Sequence, residues 1–133
     1  MGHLRRSVVV VDDENDILRI LAEILQADGY EPVTFWSAAR AYDYMVHQRP
    51  ALVVTDLLMP GMNGQELVTR IREQCDPDLP IIVMSASVNM SAVSGLPIQA
   101  FLSKPFDLDD FLGLVEKLLK VPQQYVPQAA GSR

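Results

Sequence analysis

Four short apolar runs, each leading into a polar residue, restrict the fold of this chain more than any other feature. A continuous run of β-branched and other apolar residues is typical of a strand that is buried on both faces of a sheet. The runs and the polar residues that follow them are Val8–Val11 before Asp12, Leu52–Val54 before Asp56, Ile81–Met84 before Ser85, and Phe101–Leu102 before Lys104. The sequence therefore predicts strands that lie side by side in the interior of a sheet.

Amphipathic segments separate these strands. The first of them has apolar residues at helical spacing along one face: Ile17, Ile20, Leu21, Ile24 and Leu25. Ser37, Asn63 and Asp107 stand where their side chains can cap the helices that follow them. With Val33–Trp36 as a further strand, strand and helix alternate five times along the chain. This alternation predicts an α/β domain with a doubly wound, five-stranded parallel sheet.

The polar residues at the strand ends predict a common site. In an open parallel sheet, ligands bind in the crevice outside the carboxyl ends of the strands. Asp12, Asp13, Asp56, Ser85 and Lys104 would bring three carboxylates, a hydroxyl and an ammonium to that crevice. Such a set can hold a divalent cation and can accept a phosphoryl group on a carboxylate.

Each of these residues, taken alone, also has an ordinary structural interpretation. Asp12 and Asp13 can stabilise the start of a helix through its dipole. Lys104 can be a solvated charge, and Ser85 can be a hydroxyl at the end of a strand. The coincidence of all these placements with the α/β pattern favours a functional site.

Composition excludes several classes of function. The chain has 133 residues, enough for one domain, and a net charge of −6 with no basic stripe, which argues against direct nucleic-acid binding. No apolar segment approaches the length of a membrane span. Cys75 is the only cysteine, so no intrachain disulfide can form, which suits a cytoplasmic location.

Four motifs in order make the chain resemble the receiver domain of two-component response regulators. They are Val-Val-Asp12-Asp13-Glu, then Val-Val-Thr-Asp56-Leu-Leu-Met-Pro-Gly-Met-Asn-Gly, then the strand ending at Ser85-Ala86, and last Lys104-Pro105-Phe106. The resemblance extends from about Val8 to Lys120. It implies the strand order 2-1-3-4-5 with five flanking helices. We expect an N-terminal extension at 1–6, the receiver domain at 7–121 and a tail or linker at 122–133.

The resemblance implies a metal-dependent phosphoacceptor site. Asp56 would be the phosphoacceptor, and Asp13 and Asp56 would bind Mg²⁺, or another divalent cation such as Mn²⁺, through their side chains. Asp12 would act at the edge of the metal through water, and the backbone carbonyl of Leu58 would complete the set. Mg²⁺ prefers oxygen ligands and keeps several waters, which suits so few protein ligands.

The resemblance also implies how the phosphoryl group is held and sensed. Lys104 and Ser85 would each contact a phosphoryl oxygen, and a cis peptide bond is common in the family before the residue that is here Pro105. Ser85 and Phe101 would form the switch, since the family moves an aromatic side chain inward on activation. The alternative is that Phe101 is a plain core or edge-strand residue, and the switch is the favoured interpretation. Trp36 has no matching role and is interpreted as packing.

We therefore expect a signalling switch rather than an enzyme. Its partners would be a histidine kinase or histidine phosphotransfer protein and an unknown effector, with a homodimer possible on phosphorylation. A phosphate-ester hydrolase with an aspartyl-phosphate intermediate is the first alternative, but it would need an acid where Leu58 stands. Two alternatives are weaker. One is a receiver fold that serves as a binding scaffold and no longer signals by phosphorylation, and the other is a flavin-binding carrier of related topology.

Two features depart from the family pattern. The segment between Ser85 and Lys104 is about three residues short, close to one helical turn, so we expect a short, displaced or partly unwound fourth helix. Leu58 and Ser87 occupy the positions that tune phosphoryl lifetime in the family, and neither is an amide or acid. We therefore expect slow self-dephosphorylation.

Overall fold

One five-stranded parallel sheet organises the described residues. The computed structural model describes residues 5–86 and 93–120. The strands are β1 (Ser7–Val11), β2 (Glu31–Phe35), β3 (Leu52–Asp56), β4 (Ile81–Ser85) and β5 (Ala100–Ser103). Their spatial order is β2-β1-β3-β4-β5 and every pairing is parallel. The predicted fold class and strand order are confirmed.

Helices cover both faces of this sheet, and the strands divide their side chains between them. The helices are α1 (Asn15–Ala27), α2 (Ala38–Met45), α3 (Gly64–Arg70) and α4 (Leu108–Lys120). Val9, Val53 and Val83 pack with α2 and α3, whereas their neighbours Val10 and Val54 pack with α1 and α4. The central strands β1, β3 and β4 are buried on both faces, except for Ser7. This explains why their sequences are continuously apolar rather than alternating.

Two of the predicted helix caps, Ser37 and Asn63, form side-chain hydrogen bonds in the structure. The Ser37 side chain accepts a hydrogen bond of 3.3 Å from the backbone N–H of Arg40, and the Asn63 side chain accepts one of 2.9 Å from Glu66. These bonds satisfy amide groups that have no partner within the helix. After α1, Gly29 has a φ of +94°, a left-handed conformation that glycine adopts without steric cost.

The end of α3 differs from a regular helix in a way that the sequence did not predict. Residues Ile71–Cys75 form a π-helical turn, closed by a 2.8 Å hydrogen bond from the Asp76 N–H to the Ile71 carbonyl. The wider turn carries Arg72, whose guanidinium donates to the carbonyls of Pro97 (2.9 Å) and Asp76 (3.2 Å). Arg72 also donates to the side-chain oxygen of Gln99 at 3.0 Å. One side chain thus joins the end of α3 to the segment that enters β5.

The connection between β4 and β5 was expected to hold a short fourth helix. Residues 87–92, on which most of that helix would fall, lie outside the described residues. The next residues form a turn in which the Leu96 N–H donates to the Val93 carbonyl at 3.0 Å. Val93 is buried in the core beside α2 and α3.

Trp36, which was interpreted as packing, lies at the surface. Its side chain lies just beyond β2 and is 59% exposed. The Arg40 guanidinium lies over its ring at 5.3 Å from the centroid, a cation–π contact at the surface.

Within residues 5–86 and 93–120, no helix is long and apolar enough to cross a membrane.

The Arg72 contacts predict a specific contribution to stability. We expect Arg72→Ala to lower the free energy of unfolding by about 1–2 kcal/mol, because the carbonyls of Pro97 and Asp76 lose a charged hydrogen-bond donor. Arg19→Ala is the matched control, since Arg19 makes an exposed ion pair with Asp16 and should change stability by less than about 0.5 kcal/mol. Urea denaturation measures both, and equal losses in the two variants would contradict the prediction.

Candidate functional site

The polar residues singled out in the sequence meet at one edge of the sheet. Asp12 directly follows β1, Asp56 and Ser85 are the last residues of β3 and β4, and Lys104 directly follows β5. The Lys104 N–H continues the parallel pairing with a 2.8 Å hydrogen bond to the Ser85 carbonyl. The peptide bond between Lys104 and Pro105 is cis. The parallel topology therefore brings together side chains that are up to 92 residues apart.

Lys104 is the hub of this arrangement. Its Nζ donates to Asp12 Oδ2 at 2.7 Å and to Glu14 Oε1 at 3.3 Å. It lies 3.5 Å from Asp56 Oδ2. The Lys104 side chain is 12% exposed and that of Asp12 is fully buried. An ammonium with little access to water and three carboxylates around it is held firmly in place.

Three aspartates at the ends of β1 and β3 form a group that suits a divalent cation. Ligand oxygens of Asp12, Asp13 and Asp56 all lie within 4.8 Å of one another. Asp13 is exposed, whereas Asp12 and Asp56 are buried. An all-oxygen set with one side open to water fits Mg²⁺, which is bound by few carboxylates and retains water ligands. The donor set of this chain therefore fits the expected metal.

The electrostatics of the site leave a negative charge to be neutralised. Burial raises the pKa of Asp56 above its usual value, and the neighbouring Asp12 raises it further, against the lowering influence of Lys104. Burial alone would lower the pKa of Lys104, but its hydrogen bond to Asp12 and the charges of Asp12 and Asp56 raise it overall. One ammonium does not balance the surrounding carboxylates, so a bound cation would relieve their repulsion.

The backbone around Asp56 fixes the direction of its side chain. The Leu57 N–H lies 2.9 Å from Asp56 Oδ1 and 2.8 Å from the Met84 carbonyl, so it contacts both acceptors. The Gly64 N–H donates to the Leu57 carbonyl at 2.9 Å. Only one oxygen of the Asp56 carboxylate, Oδ2, is therefore directed at Lys104.

Gly64 is a residue of this site that the sequence interpretation missed. A Cβ atom at Gly64 would lie 2.2 Å from the Asp56 carbonyl oxygen and 2.8 Å from the Leu57 Cα. The first turn of α3 can therefore approach the Asp56 backbone only because residue 64 has no side chain. The available indication was a glycine directly after the helix-capping Asn63, where no left-handed turn requires one.

The remaining predicted residues take different positions. Ser85 is fully buried at the end of β4. Phe101 is partly buried in β5, opposite Val83, and packs against the core beside α2 and α3. The Leu58 side chain is 60% exposed. Ser87, the second position expected to tune phosphoryl lifetime, lies outside the described residues.

An apolar groove begins next to Lys104. Its volume is about 440 Å³, and it runs between α1 and the start of α4. Glu14 and Lys104 stand at its polar end, and its walls are formed by Ile17, Ile20, Leu21, Ala86, Pro105, Phe106 and Leu108. Ile20 and Leu108 are 42% and 37% exposed. The groove is therefore accessible to solvent at these two residues.

Comparisons with known proteins agree with the fold and the site. The family model "Response regulator receiver domain" matches residues 8–116. The response regulator receiver protein CpdR of Brucella abortus (strain 2308) is 37% identical over 117 residues, which cover 86% of this chain and 97% of that protein. This chain belongs to the receiver domain family of two-component response regulators.

Two further relatives show the range of proteins that contain such a domain. The DNA-binding transcriptional regulator NtrC of Escherichia coli (strain K12) is 34% identical over 91% of this chain, which spans only 26% of NtrC. The response regulator protein TrrA of Thermotoga maritima, solved in complex with Mg(2+)-BeF, has a TM-score of 0.79. It is 33% identical, and the match covers 86% of this chain and 99% of that one.

The close approach at Gly64 can be tested by adding a single methyl group. We expect Gly64→Ala to lower the free energy of unfolding by about 2–3 kcal/mol, because backbone atoms must move to admit the Cβ. Gly113→Ala is the matched control, since Gly113 lies inside α4 where an added Cβ would meet nothing within 4 Å and should gain roughly 0.5–1 kcal/mol in helix stability. Chemical denaturation distinguishes the two, and a neutral Gly64→Ala would show that the approach is not tight.

Proposed function

We propose that this chain is a phosphorylation-dependent switch of a two-component system and that Asp56 accepts the phosphoryl group. The observation that carries the proposal is the position of the Asp56 carboxylate. Its Oδ2 lies 3.5 Å from Lys104 Nζ, and one of its oxygens lies within 4.8 Å of ligand oxygens of Asp12 and Asp13. A carboxylate beside a fixed cation and a metal-binding group can attack a phosphoryl donor that would otherwise be repelled.

The acidic group would hold the divalent cation. When bound, Mg²⁺, or Mn²⁺ in its place, would neutralise the repulsion between the acceptor carboxylate and the phosphoryl donor. Asp13 and Asp56 would contact it directly, together with the backbone carbonyl of Leu58. Asp12 would act through water, because its Oδ1 already accepts from the Glu14 N–H at 2.9 Å and its Oδ2 accepts from Lys104.

Lys104 and Ser85 would stabilise the phosphoryl group that Asp56 receives. An oxygen of Asp56 forms the new bond to phosphorus, and the bond between phosphorus and the donor breaks, leaving its electron pair with the donor group. Lys104 Nζ would move from the Asp56 carboxylate to a phosphoryl oxygen. This movement would be short, because Lys104 Nζ already lies 3.5 Å from Asp56 Oδ2. The Ser85 hydroxyl would donate to another phosphoryl oxygen.

The proposed switch runs from Ser85 to Phe101. A shift of Ser85 toward the phosphoryl group would move the end of β4, and Phe101 on the neighbouring strand would turn inward into the space released. The support for this step is that Phe101 is only partly buried and packs beside Val83, two residues before Ser85. The equilibrium between the two positions would be the signal that an effector recognises.

The partners of the switch follow from this chemistry. We propose a histidine kinase or histidine phosphotransfer protein as the donor, seated along the apolar groove beside Lys104, and an effector that recognises the altered surface. A homodimer of phosphorylated chains is a further prediction, which light scattering can test. We propose a cytoplasmic location, a receiver unit at residues 7–121, and no direct binding of nucleic acid or membrane by this chain.

A hydrolase that uses the same intermediate is less well supported. Such an enzyme needs an acid near the nucleophile to protonate the leaving group. Leu58 occupies the position two residues after Asp56, and its apolar side chain is directed to solvent. The chain would therefore catalyse its own modification without turning over an external substrate.

Phosphorylation by a small-molecule donor tests the proposed function directly. We expect intact-mass spectrometry to show one added phosphoryl group after incubation with acetyl phosphate and Mg²⁺. The adduct should be absent in Asp56→Asn and in wild type with a chelator, because the acceptor or the charge neutralisation is then missing. A wild-type protein that binds Mg²⁺ but takes no phosphoryl group would contradict the proposal.

The exposed apolar side chain of Leu58 predicts a long-lived phosphorylated form. We expect Leu58→Asn to speed the loss of the phosphoryl group by about tenfold, because an amide can orient an attacking water as a polar positioning group does. Val46→Asn is the control, since Val46 is similarly exposed at 53% and lies at the C-terminal end of α2, away from Asp56. The decay of the adduct in Mg²⁺ without a phosphatase gives both lifetimes, and wild-type decay within seconds would refute the prediction.

A further inference from the structure

Glu14 contacts Lys104 and makes no other side-chain hydrogen bond among the described residues. Its Oε1 accepts from Lys104 Nζ at 3.3 Å, and its side chain is 63% exposed. Glu14 is also the N-cap residue of α1, but its side chain makes no cap hydrogen bond. Neither helix capping nor packing in the core therefore explains why residue 14 carries a carboxylate.

We propose that Glu14 is a positioning residue that restrains Lys104 in the unphosphorylated protein and thereby opposes its transfer to the phosphoryl group. This inference rests on the proposed function. The two hydrogen bonds of the Lys104 ammonium to carboxylates go to Asp12 and Glu14, at 2.7 and 3.3 Å. Asp56, the residue at which the phosphoryl group would arrive, is the most distant of the three at 3.5 Å.

The two competing carboxylates differ in what their loss would do. Asp12 is fully buried, and its contact with Lys104 belongs to the interior of the site. Glu14 lines the groove beside Lys104 and keeps most of its access to water. Removing Glu14 therefore takes away one of the two hydrogen bonds from Lys104 to carboxylates. It leaves no buried charge unpaired, whereas removal of Asp12 would do so.

Glu14 takes no part in the chemical step itself. The bond that forms joins an Asp56 oxygen to phosphorus, and the bond that breaks joins phosphorus to the donor, which keeps the electron pair. Glu14 acts before this step, through the position of Lys104. An exposed ion pair has a small energy, so its removal should change an equilibrium by about two- to fivefold.

The test compares three single substitutions with wild type in the full chain. Glu14→Gln removes the charge and keeps the shape. Glu14→Asp keeps the charge but shortens the side chain by one methylene, so the contact with Lys104 is lost. Asp16→Asn removes an equal charge two residues away, from a side chain that is 82% exposed and pairs with Arg19 instead.

Two measurements report on Lys104 rather than on folding. One is the affinity for beryllofluoride, a phosphoryl mimic, at saturating Mg²⁺. The other is the rate of phosphorylation by acetyl phosphate under the same conditions. We expect Glu14→Gln and Glu14→Asp to bind beryllofluoride about two- to fivefold more tightly than wild type and to gain rate similarly. Asp16→Asn should match wild type in both measurements.

Each contrary result has a distinct meaning. If Glu14→Gln equals wild type while wild type is phosphorylated on Asp56, this inference is wrong and the proposed function stands. If Asp16→Asn gains as much as Glu14→Gln, or if Glu14→Asp equals wild type, the effect is one of general charge and the contact is not responsible. If wild type neither binds beryllofluoride nor is phosphorylated, the proposed function falls and the inference falls with it.

Discussion

The buried ion pair between Lys104 and Asp12 is the interaction on which the rest of the site depends. It joins the ends of β5 and β1, which are separated in the sheet by β3 and β4, so it spans the edge of the sheet above Asp56. Placing two charges out of water is costly, and removing either partner from such a pair typically destabilises by about 3–5 kcal/mol. The pair is tolerable here because Asp12 also accepts from the Glu14 N–H and Lys104 contacts two further carboxylates. The fold thus maintains a concentration of charge that a simple structural role would not require.

The sheet topology explains why this charge gathers at one place. The chain turns outward from β1 to β2 on one side and to β3, β4 and β5 on the other, so the strand order reverses between β1 and β3. Asp12 and Asp56 lie at the ends of these two strands. A crevice forms where neighbouring connections leave in opposite directions, and ligands of doubly wound proteins bind there. The metal-binding group is therefore a product of connectivity as much as of residue type.

The sequence predicted the parts of this arrangement that depend on periodicity. The apolar runs located β1, β3 and β4, and the polar residues at their ends located Asp12, Asp56 and Ser85. It did not predict the π-helical turn at Ile71–Cys75. The apolar residues of α3 have the spacing of a regular α-helix up to Ile71, so the sequence pattern does not mark the widened turn that follows. The contact of Glu14 with Lys104 was also missed, since it depends on the side-chain positions of residues far apart in the chain.

Two other differences between prediction and structure depend on how elements pack or where a strand ends. Gly64 is required by the distance of α3 from the Asp56 backbone, which only the packed helix defines. Trp36 was interpreted as packing, but β2 is an edge strand that ends at Phe35, one residue earlier, and Trp36 is largely exposed beyond it.

The position of Trp36 determines which part of the protein its intrinsic fluorescence can monitor. The chain has one tryptophan, and it lies beyond the end of the edge strand, under Arg40 and largely in water. Its emission is therefore sensitive to the solvent and to that arginine rather than to the crevice at Lys104. The aromatic residue on the strand beside Ser85 is a phenylalanine, which fluoresces only weakly. Optical detection of events at Asp56 therefore calls for a fluorophore introduced close to the crevice.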